Sequence, residues 1–299
     1  MGQGLNFSFV LDGREVWRCY GSDPGSLPAG QRVFISDVSG WMGEPGKART
    51  EGRGARITGG TVPLRRVGLD GRTISMSGWA EPPEGVDVDA WALQQPGRIF
   101  PSDTAEHTLI LYSWGHGCDV HAVVELDGEC TFTPSHGENL VEWHIPLHAP
   151  DIYLYGLFVG GTMVNRVDGV GLEWPLFAGD PPAVEWGASA ADTQVVLHNP
   201  GTIEAWPTVV LSGNALSGAR VSDGQGNVVE FSGPCTWGSP VTIDSASGTA
   251  RRGGVDCTEQ IIRRGFWRVP PESDVAPTVE SRQSGTVVQA DFRMTPRWL

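Results

Sequence analysis

TQVVLHNPGTIEAWPTVVLSG, residues 193–213, is the stretch whose reading decides the fold. Val195, Val196 and Leu197 form an apolar run, Asn199-Pro200-Gly201 supplies turn chemistry, and 208–211 resume with β-branched residues before Ser212-Gly213 end the run. Two strands and a turn are expected, a hairpin-like opening to an all-β domain. Neither run pairs a nucleophile with a base or gathers metal ligands, so the stretch speaks for architecture rather than chemistry.

Downstream, strand-like runs recur at 219–221, 227–232, 241–244, 266–269, 278–280 and 286–293, with Asp223-Gly224-Gln225-Gly226 as the turn between the first two. Short strands at this spacing predict a β-sandwich. Upstream, 7–17 and 32–38 read as strands, and the glycine- and charge-rich 41–57 as an exposed loop. In 61–79, Asp70-Gly71 predicts a type I′ hairpin that sets Val67 opposite Ile74 and Arg65 opposite Met76. Residues 87–95 are the one helix candidate, about two turns long and stopped by Pro96-Gly97. Strand character returns over 108–134, where Asp127-Gly128 predicts a second two-residue hairpin. The run 140–156 then closes an antiparallel, β-rich first part, and the Gly- and Pro-containing 157–182 read as a connector with one strand.

Composition bounds the function. A chain of 299 residues is long enough for two domains, and 41 glycines, 22 prolines and 12 tryptophans fit short strands and tight turns better than collagen or disorder. The net charge is −14, with −11 in residues 1–182 and −3 in 183–299, and Lys47 is the only lysine. That balance argues against sequence-specific nucleic-acid binding, which needs basic patches. Five widely spaced cysteines without a CxxC pair predict no disulfide framework. The chain shows neither a basic n-region followed by an apolar stretch nor an apolar run approaching the ~20 residues of a membrane span, so membrane insertion is not expected.

His116, Cys118, His121, Cys130 and His136 are residue types that bind zinc. The Asp127-Gly128 hairpin would put His121 opposite Pro134 and Asp119 opposite His136, with His116 and Cys118 on the other face, so the ligands cannot converge. Pro146 keeps His144 and His148 off a shared helix face. Asp87 with Asp89, and Glu125 with Glu129, are acid pairs read as turn and surface carboxylates. Ser239 and Ser247 lack nucleophile-elbow spacing, and the glycines form no phosphate loop. No catalytic, cofactor-binding or metal residue is assigned. The tryptophans read mainly as core or interface, with a sugar-stacking platform as the alternative.

The succession HNPGTIEAWPTVVLSG (198–213), VTIDSASGTA (241–250), FWRVPPESDVAPTVE (266–280) and FRMTPRWL (292–299), preceded by WHIPLHAPDIYLYG (143–156), resembles the siphophage distal tail proteins, the phage minor tail protein family of actinobacteriophages. The matching positions are Asn199-Pro200-Gly201-Thr202, Gly213, Ile243-Asp244, Phe266-Trp267 with Pro270-Pro271, and Trp298; Glu272-Ser273-Asp274 stand where the family often has Gly and Asn. The resemblance implies an all-β chain: a ring-forming β domain at 1–156, a connector at 157–182 and a galectin-like β-sandwich at 183–299. It further implies a non-enzymatic structural virion protein at the distal end of the tail. Such a protein forms a ring, usually a homo-hexamer, between the tail tube protein and the tail tip or hub proteins. Acidic residues lining such a ring would repel passing DNA. The alternative is a carbohydrate-binding module that contacts a host-surface glycan.

Overall fold

The computed structural model describes residues 5–21, 32–43, 71–101, 107–114, 119–165 and 194–299. The chain divides into two compact units, one of Met1–Gly156 with Trp298–Leu299 and one of Leu157–Arg297. Both are built of antiparallel sheets, so the fold is all-β with one α-helix among the described residues.

In the first unit, β1 (Asn6–Leu11), β2 (Arg14–Cys19), β5 (Leu109–Trp114), β6 (Val120–Val123), β10 (Leu154–Gly156) and β24 (Arg297–Trp298) form a six-stranded sheet in the order β2-β1-β5-β6-β10-β24. The second sheet runs β3 (Arg32–Ser39), β4 (Arg72–Glu81), β9 (Leu140–Ala149), β7 (Glu125–Leu126), with β8 (Thr131–Ser135) also paired to β9. Alternation along β1 turns Phe7 and Phe9 inward, and along β4 and β9 it turns Ile74, Met76, Trp143, Ile145 and Leu147 inward, all into one core. Trp17 lies at its centre, edge-on to Trp143 at 5.0 Å and to Phe9 at 5.6 Å.

The triplet Leu-Asp-Gly occurs at 11–13, 69–71 and 126–128. At Asp12-Gly13 both residues have positive φ, 48° and 80°, and a two-residue hairpin follows with Leu11 paired to Arg14. The stretch 7–17, read as one strand, is therefore two. At 127–128 only Gly128 has positive φ, and no hairpin forms there. Instead the chain crosses between sheets at the buried Val124: β6 pairs with β5 and β10, whereas β7 and β8 pair with β9. His121 thus faces Tyr112 and Tyr155 rather than Pro134. Met76 has Val38 on one side and Ile145 on the other, and Arg65, its expected partner, lies outside the described residues. Val67 lies outside the described residues.

The helix α1 (Val88–Ile99) is capped by Asp87, whose side chain accepts from the N–H of Ala90 at 2.9 Å. It runs through Pro96 rather than stopping there, and the Phe100 N–H still reaches the Pro96 carbonyl at 2.8 Å. A mid-helix proline costs ~3 kcal/mol. Burying Ile99, the last apolar position of the stripe Val88, Trp91, Ala92, Gln95, Ile99, returns a comparable ~2–3 kcal/mol.

In the second unit, β11 (Val159–Val164), β23 (Val288–Met294), β13 (Thr208–Ala215), β17 (Val241–Asp244), β18 (Thr249–Arg252) and β19 (Val255–Asp256) form the main sheet in that order, with β16 (Cys235–Thr236) also on β13. A four-stranded sheet runs β20 (Ile261–Arg264), β15 (Val228–Phe231), β14 (Ala219–Ser222), β22 (Thr278–Ser281), and β12 (Leu197–Asn199) pairs with β21 (Ser273–Val275). Their inner faces share one core that includes Val209, Leu211, Phe231, Ile243 and Phe292. The runs in 193–213 are both strands, yet not a hairpin: β12 joins β21 while β13 lies between β17 and β23. Residues 266–269 make a single bridge, Val269 to Ala205, in place of the expected strand.

Candidate functional surfaces

The side chains singled out in the sequence are dispersed. His121 is half-buried on β6, Cys130 precedes β8, and His136 sits in the β8–β9 turn with Nε2 2.9 Å from Asp89. Among the described residues no group of three or more His, Cys, Asp or Glu is placed to hold a metal. His116 and Cys118 lie outside those residues. His144 Nε2 is 3.0 Å from the Ser75 hydroxyl, and His148 lies between Thr73 and Glu125. Asp87 is the helix cap and Asp89 the partner of His136, which accounts for that acid pair structurally. Glu125 faces His148, and Glu129 is exposed outside the strands. The Ser247 hydroxyl donates to Asp244 at 2.7 Å within a turn, and Ser239 closes another through its N–H to Thr236.

Tryptophan placement bears on sugar stacking. Trp17, Trp41, Trp91, Trp143 and Trp267 are buried, and among the described tryptophans only Trp237 is exposed, at 56%. Among the described residues, the outer faces of both large sheets in the second unit carry no aromatic side chain. The row across the main sheet reads Thr162, Asp291, Val210, Thr242, Arg251. Across the four-stranded sheet it reads Arg263, Glu230, Arg220, Glu280, an alternating charge ladder.

In the first unit the two outer faces differ in chemistry. On the second sheet Thr73, Ser75, Ser77, Glu142, His144, Thr131 and Thr133 point outward beside the stacked pair Phe34 and Trp79 at 4.2 Å, and an open depression of about 370 Å³ lies between Trp79, Glu142, Thr133 and their neighbours. On the six-stranded sheet the central outward positions are more apolar and aromatic. One cross-strand row reads Ser8, Tyr112, His121, Tyr155, and Val10, Ile110 and Val123 form the next. Tyr112 stacks on His121 at 4.9 Å and 28°, and His121 on Tyr155 at 6.0 Å. Burial lowers the pKa of His121, keeping it neutral near pH 7.

Two polar networks escaped the sequence reading. Arg72, 2% exposed, donates from Nε to Ile152 O (2.7 Å) and from Nη1 to Gly43 O (2.8 Å) and Trp41 O (3.1 Å), and among the described residues no carboxylate pairs with it. Burial lowers its pKa. Asn199, fully buried, accepts from the N–H of Gly201 and donates to the carbonyls of Ile203, Val269 and Pro270 at 3.0–3.2 Å. The Asn-Pro-Gly-Thr signature thus ties its own loop to the Phe-Trp-Arg-Val-Pro-Pro segment, a link that only spatial proximity reveals.

No family model matches the chain, and no curated protein matches its sequence. Among solved structures the chain is similar to the crystal structure of SPP1 Dit (gp 19.1), a paradigm of the hub adsorption apparatus in Gram-positive infecting phages. The TM-score is 0.55 at 11% identity, over 98% of this chain and 99% of that one. The chain has the Dit fold. More distant likenesses are to the phage P2 baseplate in its activated conformation with Ca (TM-score 0.44, 12% identity, 99% and 98% covered) and with Sr (0.43, 13%, 97% and 97%). The Dit likeness runs through both units, and the sequence resemblance to distal tail proteins is borne out at the level of the fold.

Proposed function

We propose that the protein is a distal tail protein: a structural virion component, without catalysis of its own, that forms a hexameric adaptor ring between the tail tube and the tail tip of a long non-contractile-tailed phage. The observation that carries this reading is the Dit fold along nearly the full length of both chains, in a molecule whose candidate catalytic and metal residues are dispersed. In this reading residues 1–156 form the ring, 157–182 lead out of it, and 183–299 make the outer galectin-like domain. Its partners are other copies of the chain, the tail tube protein and the tip or hub proteins. Glycan binding by the second unit is the alternative reading, and among the described residues neither large outer sheet face there offers it an aromatic platform.

Native mass spectrometry and negative-stain imaging of the purified chain test the ring, with a sixfold particle expected. Labelling of intact virions tests the location: signal at the tail tip is expected, and signal along the whole tail would overturn the adaptor role in favour of a tube protein.

A further inference from the structure

Twice in this chain a tryptophan and a glutamate share an arginine. Arg18 donates to Glu15 at 2.6 Å while its guanidinium carbon lies 5.4 Å over the Trp114 ring. Arg268 donates to Glu204 at 2.6 Å and lies 6.0 Å from the centre of the Trp206 ring. A planar guanidinium suits both contacts at once, stacking on an aromatic face while its fork of N–H groups meets a carboxylate. A third pair of this kind stands on the outer face of the first unit's second sheet, where Trp79 on β4 is the direct cross-strand partner of Glu142 on β9. Among the described residues no arginine joins it.

We propose that Trp79 and Glu142 form a docking site for an arginine side chain presented by a partner protein. Phe34 on β3 covers one face of Trp79, with ring centres 4.2 Å apart and planes at 23°. Trp79 lines the open depression of about 370 Å³ and Phe34 does not, so the other ring face is the one turned toward Glu142. Side chains directly opposite on neighbouring strands start from Cβ atoms ~5 Å apart, so a guanidinium resting on the ring comes within reach of the carboxylate. Ser77, Thr131 and Thr133 around it supply hydroxyls that accept the remaining N–H donors.

Charge selects a cation over a neutral ligand. Among the described residues neither Glu142 nor Asp37, which faces Ser77 one row further along, has an ion-pair partner. No Arg or Lys lines the depression, and the Nε2 of His144 at its rim is engaged with the Ser75 hydroxyl at 3.0 Å. Residues 1–156 hold twenty Asp and Glu against eleven Arg and Lys, a net of −9, which adds to the attraction for a positive group. A saccharide stacked on Trp79 would take Glu142 partly out of water without neutralising it; an arginine neutralises the carboxylate as it covers it. The ammonium of lysine lacks the flat face that stacks on an indole, so arginine is the better fit.

The test titrates the full chain with the blocked tripeptide Gly-Arg-Gly, followed by saturation-transfer NMR. The same peptide with lysine or with citrulline in place of arginine, and an oligosaccharide of N-acetylglucosamine, serve as comparisons. The arginine peptide should bind in the millimolar range, the lysine peptide more weakly, and the neutral citrulline peptide about tenfold more weakly. Glu142 is exposed, so Glu142→Gln should leave the circular dichroism spectrum unchanged while lowering affinity for the arginine peptide to that of citrulline. Glu129→Gln, at an exposed carboxylate outside the depression, should change nothing. Added salt should weaken the arginine peptide and leave citrulline unaffected. No binding of the arginine peptide, equal binding of arginine and citrulline, affinity untouched by E142Q, or preference for the oligosaccharide would each overturn the assignment. The sixfold particle is read by separate measurements, so the docking site and the ring can each fail without the other.

Discussion

Arg72→Met removes a buried cation with no carboxylate partner among the described residues, and the outcome turns on two opposing contributions. Loss of the guanidinium leaves the carbonyls of Ile152, Gly43 and Trp41 unpaired where they had bonds of 2.7, 2.8 and 3.1 Å. Each such buried acceptor costs ~1–3 kcal/mol. Against this, the substitution relieves the desolvation that lowers the pKa of Arg72, and it removes Nη2, which is buried without a partner. Methionine keeps an apolar stem in the space, so little cavity is created. The carbonyl contribution should win, with a net destabilisation of ~2–4 kcal/mol. Because the contacts tie Trp41 and Gly43 to Ile152, the loss should register first as local opening. Hydrogen exchange of the full chain, followed by mass spectrometry, should show the backbone amides around 40–43 and 152–153 exchanging about 100-fold faster, the equivalent of ~2.8 kcal/mol. The β17 amides in the second unit serve as the internal control. Arg72→Lys keeps the charge but not the fork that reaches both sets of carbonyls, and should fall between the two. Exchange in Arg72→Met within about threefold of wild type would refute the reasoning, since desolvation would then have offset all the carbonyl bonds.

Asn199→Asp replaces the amide that donates to three carbonyls with a carboxylate facing them, and should destabilise the second unit by ~3–5 kcal/mol in urea unfolding. Asn199→Ala should cost less, and equal stability of the two variants would show that the carbonyls do not matter. The Asp12 carboxyl is held below its ordinary 3.8, first by the Thr108 N–H and then by His107. Its contribution is therefore present above about pH 4 and lost as pH falls through the folded value, so the gap between wild type and Asp12→Asn should close on acidification; a gap unchanged at about pH 2.5 contradicts this. Gly218→Ala should destabilise the second unit, because φ is +90° and a Cβ would sit 1.9 Å from the Phe231 carbonyl oxygen; an unchanged melting temperature would count against it. Burial pushes the Cys235 thiol up to about 11. At about pH 8 it should resist alkylation in the native protein and react once urea unfolds the chain, as peptide mapping would show.

The strand content and many strand positions were legible. At 219–222, 228–231, 241–244 and 278–281 the β-branched runs and their bounding turns locate strands to within a residue or so of those observed. The helix start was legible because Asp87 caps it locally. Its end was not, because the burial of Ile99 that carries it past Pro96 is a tertiary contact. Which strand pairs with which was the weakest part of the reading. Leu-Asp-Gly makes a hairpin at 11–13, whereas at 126–128 it links two strands that both pair with β9 and not with each other, although the local sequence is the same. Turn residues permit a backbone conformation; the partner strand that can bury the apolar side chains selects it.

The same division holds for the surfaces. Composition and charge determined that the chain is all-β, strongly acidic and poor in the residue sets that catalysis or metal binding requires, because those properties depend on residue type and short-range periodicity alone. Only the tertiary structure decided that Asn199 crosslinks two distant segments, that Arg72 holds a loop, and that Tyr112, His121 and Tyr155 line up across one outer face of the first unit while Phe34 and Trp79 stack among hydroxyl groups on another. Period-2 alternation assigns side chains to two sides of a strand, but which side meets a core and which is left for a partner depends on what packs across it, and that is settled by long-range contacts.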